Sequence, residues 1–572
     1  MSRIVYLCYR DSSWPVHMRG DIEKLSSRIL PDNITPHPPG VIQDKGVLIG
    51  ILNPVDVIPV KGNSVCMGNL INPREDWWRP GADIPDGTYA LFRADNTLLE
   101  LVTDIVGSRT IWYIKTDNLF IASTSQRAIV YFLGSFEPNH AVYPWMLSAG
   151  NLGPGLSWDK RIQCVPPNAR LILNREAWVV NIHKEPVVFE PMDLPYEDQE
   201  ARIHAALKET FANLELDADK WVLPLSGGTD SRAILLMLKD RQKYKAITWG
   251  LRSSLNDKHS DAYVAKHLAD RYGLTHEYYD TDISSEPIGK ILDRFIIAGE
   301  GRVDHIAGYM DGFALWKNLY EKNVQGVIRG DHGFGRESVY STLGVRRIIG
   351  LLLLSDYQKN NMMNWEGLEK QVLPENLKQR EGETLECYRD RLVYEYRMPY
   401  IMSALNDLKS GYTEIANPLL SRNIVHQVLY LPDKLRSDKS ILKHIVEKLE
   451  PNIPFAENRA IATTREILMD DVIINYMAQE IGTENAGALM SNNFVNNLLR
   501  NIHLKEKESL KSDIRKSLKS LIKSSLPSVL KKKLKKKPLQ PLLDHRVLAL
   551  RGLIIIKMNR LLIEDSDSIN RL

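Results

Sequence analysis

From Met1 to about Val180, apolar and polar residues alternate in short runs: Ile4–Tyr9, Thr88–Phe92, Leu98–Thr103, Ile111–Ile114, Leu119–Ser123 and Ala169–Leu173. Side chains on a strand point to opposite faces in turn, so each run predicts a short strand. Asp86-Gly87, Asp95-Asn96 and Asp117-Asn118 fall between the runs, where such residues favour tight turns. Few long helical stretches interrupt them, and the pattern predicts an all-β or αββα layered domain over residues 1–190.

An acidic linker begins at Asp193, and a helix follows through His204-Ala205-Ala206-Leu207. The pattern then changes. Trp221, Val222, Leu223 and Leu225 form an apolar run with the length and composition of a buried parallel strand. Lys245–Gly250, Thr275–Tyr279 and Gln325–Arg329 read as three further strands. Between them Ser260–Tyr272 reads as a helix, with Val264, His267 and Leu268 on one face. Strands alternating with helices at this spacing predict a parallel α/β sheet whose ligands lie beyond the strand C-termini. From Asp356 onward the chain reads as mostly helical, so residues 200–500 form a second domain and 501–572 a basic helical tail.

The first strand of that sheet ends in Ser226-Gly227-Gly228-Thr229-Asp230-Ser231, and an amphipathic helix continues through Ala233, Ile234, Met237 and Leu238. Two glycines let the backbone turn sharply and approach a ligand closely. Free N–H groups at the helix start, with the Ser226 and Ser231 hydroxyls, predict an anion cradle. Asp230 suits Mg²⁺. No lysine is present, which excludes the Walker A loop.

This string resembles the pyrophosphate loop of the ATP pyrophosphatases, enzymes that split ATP between the α and β phosphates and activate a carboxyl or carbonyl group as its adenylate. The N-terminal series from Asp86 to Ile129 resembles the glutaminase domain of class B asparagine synthetases, with Asp104–Arg109 in the Asp-x-x-Gly turn and Ile121-Ala122-Ser123 in a later strand. Such a likeness implies an N-terminal-nucleophile (Ntn-type) αββα sandwich. A parallel pyrophosphatase (HUP-like) domain with a helical C-terminal extension then follows. Members of that family with an active glutaminase carry a cysteine directly after the initiator methionine. Here the residue is Ser2, a far weaker nucleophile, and Cys8 lies inside an apolar strand. A glutaminase-like domain without glutamine hydrolysis is the expectation.

Carried over residue by residue, the resemblance assigns nucleotide contacts to Leu225, Ser226, Gly227, Gly228, Asp230, Ser231, Trp249, Gly250 and Gly330. The Asn256–His259 stretch also falls near the adenine and ribose. Trp249 reads equally well as a core aromatic. Aligning Phe334-Gly335 puts Asp331 on the family's second metal-binding aspartate, opposite Asp230. The Asp331-His332 pair is similar to one in some lasso-peptide cyclases; His332 reads as a base or as a structural loop histidine. Glu414 opens a stretch matching the family's Glu-Ala-Arg-Val-Pro-Phe-Leu-Asp, where a β-lactam synthetase has the glutamate of its catalytic dyad. Lys443-His444-Ile445 matches a family helix, and the lysine expected after it is missing, which leaves Arg459 as the nearest cation. Glu414 and Arg459 are therefore the candidates for amide formation, with an ordinary surface ion pair as the alternative for each.

Over 572 residues, 44% are hydrophobic and 25% charged, an ordinary globular balance with material for two or three domains. A formal net charge of +3 gives no sign of a nucleic-acid partner. The four cysteines are scattered, without disulfide or zinc spacing, which suits a reducing cytoplasm. Charge comes too early at the N-terminus for a signal peptide, and no run has the length of a membrane span. The lysine- and serine-rich stretch from Leu504 to Leu543 reads either as a surface for an anionic membrane or acidic partner, or as a solvated helix and linker.

The expected function is ATP- and Mg²⁺-dependent amide synthesis: a carboxylate substrate, a precursor peptide among the candidates, is adenylated and joined to an amine. Lasso-peptide cyclases and β-lactam synthetases are the nearest analogues. An ammonia-using amidotransferase acting on a small molecule or surface sugar is one alternative, and a non-catalytic nucleotide-binding scaffold another.

Overall fold

The computed structural model of the protein describes residues 3–11, 18–44, 46–358, 365, 367–483, 489–503 and 541–570. In the N-terminal region the strands are β1 (Arg3–Tyr9), β2 (Gly40–Asp44), β3 (Val47–Leu52), β4 (Val60–Lys61), β5 (Ser64–Ile71), β6 (Asp86–Ala94), β7 (Leu98–Thr103), β8 (Trp112–Lys115), β9 (Leu119–Ser123), β10 (Gln163–Cys164), β11 (Ala169–Asn174) and β12 (Val179–Lys184). They make two six-stranded antiparallel sheets, in the orders β10-β8-β9-β1-β3-β2 and β12-β11-β7-β6-β5-β4. Alternation closes them face to face. Ile4, Tyr6 and Cys8 of β1 point inward and meet Phe92 of β6 and Leu101 of β7 in one buried cluster. Val5 and Leu7 point outward into a core shared with the helices Met18–Ile29 and Gln126–Leu133.

An αββα sandwich needs helices on both outer faces, and here only the first sheet has its own. The outer face of the second sheet, with Tyr89, Leu91 and Val102, is packed by Trp77 and Ile84 and by the C-terminal region. Asp86 at the start of β6 accepts the backbone N–H groups of Arg422 and Asn423 at 2.6 and 3.4 Å. A carboxylate at the N-terminus of the Arg422–Leu429 helix satisfies its free donors and its dipole, and ties the sandwich to the second unit.

That unit is built on a five-stranded, fully parallel sheet in the order β15-β14-β13-β16-β17. Its strands are β13 (Trp221–Pro224), β14 (Lys245–Gly250), β15 (His276–Asp280), β16 (Gly326–Ile328) and β17 (Glu414–Ala416). Four of them fall where the apolar runs place them. The fifth does not: the segment opening with Glu414 is a short buried edge strand, too short for periodicity to signal. The Asp261–Tyr272 helix is capped by the Ser260 hydroxyl, which accepts from Tyr263 N–H at 3.1 Å.

The basic tail expected over 501–572 needs correction. Its lysine-rich stretch, 504–540, lies outside the described residues, and so does Ser2. Beyond that stretch His545–Asn570 is a 26-residue helix, and it is core. Leu548, Leu553, Ile554, Ile555, Met558 and Leu562 are fully buried. The helix packs against Gln126–Leu133 and Val142–Ala149 on one side and Ile288–Gly299 and Asp471–Ile481 on the other. Asp565 accepts two hydrogen bonds from Arg127, at 2.7 and 3.0 Å, and one from Arg28. Among the described residues no helix is long and apolar enough to cross a membrane.

Candidate functional site

A cavity of ≈ 400 Å³ opens beyond the C-terminal ends of β13, β14 and β16. Pro224, Leu225, Ser226, Asp230 and Ser231 form one wall, Thr248 and Trp249 a second, and Arg329, Gly330 and Asp331 a third. Asp261, Arg459, Ala460 and Ile461 complete it. Ser226, Asp230 and Ser231 of the sequence motif thus line a single concavity together with Trp249, Gly330, Asp331 and Arg459.

Within the loop the two serine hydroxyls do something other than cradle an anion. Ser231 Oγ accepts from Ser226 N–H at 3.0 Å and lies 2.9 Å from Ser226 Oγ, which accepts from Gly228 N–H at 3.2 Å. The serines close the loop on itself. The N-terminus of the Thr229–Met237 helix, preceded by Gly228, has no side-chain cap, so its first N–H groups are available to an anion.

Gly227 and Gly250 do not line the cavity, and the reason for glycine there is packing. A Cβ on Gly227 would lie 2.4 Å from the Ala456 Cβ, and one on Gly250 would lie 2.5 Å from the Ala460 carbonyl oxygen. Ala456 N–H donates to Gly227 at 3.0 Å and Leu251 N–H to Ala460 at 2.8 Å. A strap from Ile453 to Ile461 therefore lies directly on the loop and on the end of β14. Buried Arg232 fastens it, donating to the carbonyls of Ile453 and Pro454 and stacking on Phe455 with its guanidinium carbon 4.4 Å from the ring centroid. Strap and loop are more than two hundred residues apart, so no local signal joins them. Gly330 does require closeness to a functional residue: a Cβ there would lie 2.8 Å from the Asp230 Cβ.

Asp230 and Asp331 face the same space with different partners. Both oxygens of Asp230 accept from Lys439 Nζ, at 2.9 and 2.7 Å. Lys439 and its predecessor Asp438 are both held at φ 56°, a left-handed conformation that costs non-glycine residues about 1–2 kcal/mol each. Strain of this kind persists where surrounding structure enforces it. Asp331 accepts from Arg329 at 3.2 Å through Oδ1, while its Oδ2 is buried without a hydrogen-bond partner. Burial alone would push the Asp331 carboxyl up; Arg329 and Lys409 outweigh it and hold the group below the usual carboxylate range. His332 Nε2 lies 3.6 Å from Asp230 Oδ2. Burial pushes this imidazole down to about 4 against the pull of Asp230, so it is neutral at pH 7.

Mg²⁺ is held by one or two carboxylates together with phosphate oxygens and water. Asp331, with its unpartnered Oδ2, fits that demand, and Asp230 faces the same space with both oxygens bonded to Lys439. Among the described residues no group of three or more His, Cys, Asp or Glu side chains is placed to hold a metal ion.

Trp249 serves both readings: it lines the cavity and meets Trp316 edge-on, with ring centroids 5.7 Å apart. Arg459 is exposed at the cavity, and its charge acts on Asp261, whose Oδ1 accepts from Gly227 N–H at 3.2 Å. Glu414 is elsewhere. It pairs with Gly326 at the start of β16, three residues before Arg329, or about 10 Å along a strand. Its carboxylate is 1% exposed and bonded to Arg109 of the N-terminal unit. This is a buried joint between the units, and Glu414 is not among the residues that line the cavity; its burial corrects the reading of it as a surface ion pair.

Lys439, Arg232, Asp261 and Arg329 were missed in sequence. Arg329 directly precedes Gly330-Asp331 at the end of an apolar strand, and Lys439 stands one helical turn before Lys443-His444-Ile445. Those adjacencies were the available signals.

No family model matches the chain, and no curated protein matches it. Among solved structures, half of the chain (50%) is similar to 81% of the allosteric regulatory enzyme of purine biosynthesis, at 12% identity and a TM-score of 0.21. The same share (50%) is similar to 67% of the glutamine phosphoribosylpyrophosphate amidotransferase from B. subtilis complexed with ADP and GMP, at 10% identity and a TM-score of 0.20. At these scores the likeness identifies no family, and the functional reading rests on the geometry of the cavity.

Proposed function

We propose that this protein is an ATP-dependent amide synthetase that adenylates a carboxylate, releases pyrophosphate and passes the acyl group to an amine without hydrolysing glutamine. The observation that carries the reading is the convergence of Asp230, Asp331 and the uncapped Thr229–Met237 helix on one cavity beyond the ends of parallel strands. The order of the parallel strands supports a pyrophosphatase (HUP-like) assignment for the second unit, and the paired antiparallel sheets support an Ntn-type one for the first.

In this mechanism the helix N-terminus and Lys439 hold the departing pyrophosphate, whose charge builds as the bond between the α-phosphorus and the bridging oxygen breaks. A Mg²⁺ ion held by Asp230 and Asp331 would supply neutralising charge on the phosphates. The substrate carboxylate forms the new bond to the α-phosphorus. Trp249 and the strap at Ala460-Ile461 shape the neighbouring wall and exclude water from the acyl-adenylate. The amine then attacks the acyl carbon and Arg459 stabilises the oxyanion that forms; the bond to AMP breaks as the oxyanion collapses, and the ammonium proton passes to water or to the departing AMP phosphate. No part in this step is assigned to Glu414.

The test is product analysis with labelled ATP, Mg²⁺ and a panel of carboxylic acids and amines. AMP and pyrophosphate are expected; ADP and phosphate would overturn the reading. Arg459→Ala is expected to retain exchange of labelled pyrophosphate into ATP and to lose amide formation by roughly a hundred- to a thousandfold.

A further inference from the structure

A second cavity, of ≈ 220 Å³, opens on the ligand side of the parallel sheet, beyond the C-terminal ends of β14 and β15. Leu251 directly follows β14, and Thr281, Asp282 and Ile283 directly follow β15. Ligands of α/β sheets bind at this end of the strands. Thr281 N–H donates to the Gly250 carbonyl and Ser284 N–H to that of Met310, both at 2.8 Å, which fixes this segment against its neighbours. The strap is the wall between the two cavities. Ala460 and Ile461 line the first and Ala462 the second. The Ala460 carbonyl accepts from Leu251 N–H at 2.8 Å and from the Ser254 hydroxyl at 3.0 Å. Two residues of chain span at most about 7 Å, so the cavities are neighbours.

The lining is of two kinds. Met310 and Ile467 are buried and, with Leu251 and Ala462, make an apolar floor. Ile283, also on the wall, is 47% exposed. Asp282 and Glu466 are exposed at the mouth, and Asp280 stands next to Asp282 in space, held by Arg252 at 2.9 Å. Glu466 accepts from the N–H and the hydroxyl of Thr463, and Arg465 pairs with Asp544 at 3.2 Å. Three carboxylates beside one guanidinium leave the mouth negative. Burial and the charge of Asp280 push the Asp282 carboxyl up, a cost that a cation would relieve. Thr281 is 5% exposed, and its hydroxyl has no hydrogen-bond partner among the described residues. A hydroxyl so placed calls for a donor from outside the chain. The negative mouth disfavours a carboxylate or phosphate, and the apolar floor disfavours a bare metal ion.

We propose that this cavity binds a primary ammonium carried on a short alkyl chain, with the chain on the floor of Met310 and Ile467 and the ammonium on Asp282 and the Thr281 hydroxyl. Binding here is independent of the adenylation reading; only its role rests on that reading. In that role the group is a second, non-reacting ammonium of the amine substrate, as in an alkyl diamine or a lysine-type side chain.

Saturation-transfer NMR titration of the full-length protein without nucleotide tests this. The probes are n-propyl-, n-butyl- and n-pentylammonium, with pentanoate and 1-pentanol as anionic and neutral controls. The ammonium ions are expected to bind, more tightly by about fourfold for each added methylene that is buried. Pentanoate is expected not to bind. Asp282→Asn is expected to weaken n-pentylammonium by about tenfold or more, the worth of a charged hydrogen bond, and to erase its advantage over 1-pentanol. Ala462→Phe fills the cavity and is expected to abolish binding. Asp282 is exposed, so its variant keeps the test decisive if Ala462→Phe does not fold. In both variants the affinity for Mg²⁺ and α,β-methylene-ATP is expected to stay within about twofold of wild type. No binding of any alkylammonium, equal binding of pentanoate, or binding unchanged by Asp282→Asn would each overturn the site. A parallel loss of nucleotide affinity would overturn it too, by assigning the cavity to the nucleotide. A wild-type protein that fails to bind the nucleotide analogue sinks the adenylation reading instead, and the alkylammonium titrations still decide the cavity.

Discussion

Lys439 donates to both carboxylate oxygens of Asp230 across a sequence separation of 209 residues, from a backbone held at φ 56°. The pair joins the start of one helix to the start of another at the mouth of the cavity. A left-handed lysine is strained, and glycine is not. Lys439→Gly is therefore expected to be more stable than Lys439→Ala by about 1 kcal/mol. Both variants are expected to lose nucleotide-dependent activity. Urea midpoints compared with turnover separate the two effects; equal stability of the two variants would mean the strain is relaxed in solution.

Asp331→Asn keeps the size of the side chain and removes the charge facing the cavity. Its loss is expected to reduce Mg²⁺-dependent pyrophosphate exchange by roughly a hundredfold or more, as the removal of a metal-bearing charge does. Retained exchange at the wild-type rate would place the metal elsewhere.

The Gly227 backbone touches the strap, where an added Cβ would lie 2.4 Å from the Ala456 Cβ. Gly227→Ala is expected to destabilise by about 1–3 kcal/mol through overpacking. It should also raise proteolysis near Ile453–Ile461, because the roof of the cavity must lift. Unchanged cleavage of that segment would show that the loop yields instead.

The C-terminal helix closes the joint between the two units through Asp565, whose carboxylate is fully buried beside Arg127. Asp565→Ala leaves that arginine buried without its partner, and a loss of about 3–5 kcal/mol is expected in urea unfolding. Ile563 on the same helix is 51% exposed. Ile563→Ser should change stability by no more than about 0.5 kcal/mol.

Arg551 of that helix donates to Asp304 Oδ2 at 2.7 Å. Burial would raise the Asp304 carboxyl, but Arg551 and His305 outweigh it and hold the group down to about 2. A carboxyl depressed from an unfolded value of about 3.9 contributes stability above pH ~4 and loses it as the pH falls toward 2. In Arg551→Met the first-named interaction holding the carboxyl down is gone and the group moves up from about 2, so the variant has less of this stability to lose on acidification. The stability gap between wild type and variant is thus expected to be widest above pH ~4 and to narrow as the pH falls toward 2. A gap that stays constant from about pH 4 to about pH 2 would contradict this.

The sequence alone determined the elements whose burial pattern is local. Alternation in Ile4–Tyr9 and Leu98–Thr103 fixed which face of each strand is inside, because the period of a strand is two. The apolar run at Trp221–Leu225, followed by two glycines, marked the end of β13 and the ligand side of the parallel sheet. Ser226 and Asp230 could be placed on the ligand side because they follow that strand end, whereas Trp249, Gly330, Asp331 and Arg459 were placed only by the family resemblance; all six line the one cavity. Tertiary structure decided the rest. Glu414 reads as a site residue in its own segment, yet three residues of edge strand turn it toward Arg109. The His545–Asn570 helix reads as the end of a lysine-rich tail, yet its apolar faces have partners on both units. Lys439 has in sequence only its place one helical turn before Lys443-His444-Ile445, and its pairing with Asp230 is decided by distance between residues far apart in the chain, not by local pattern.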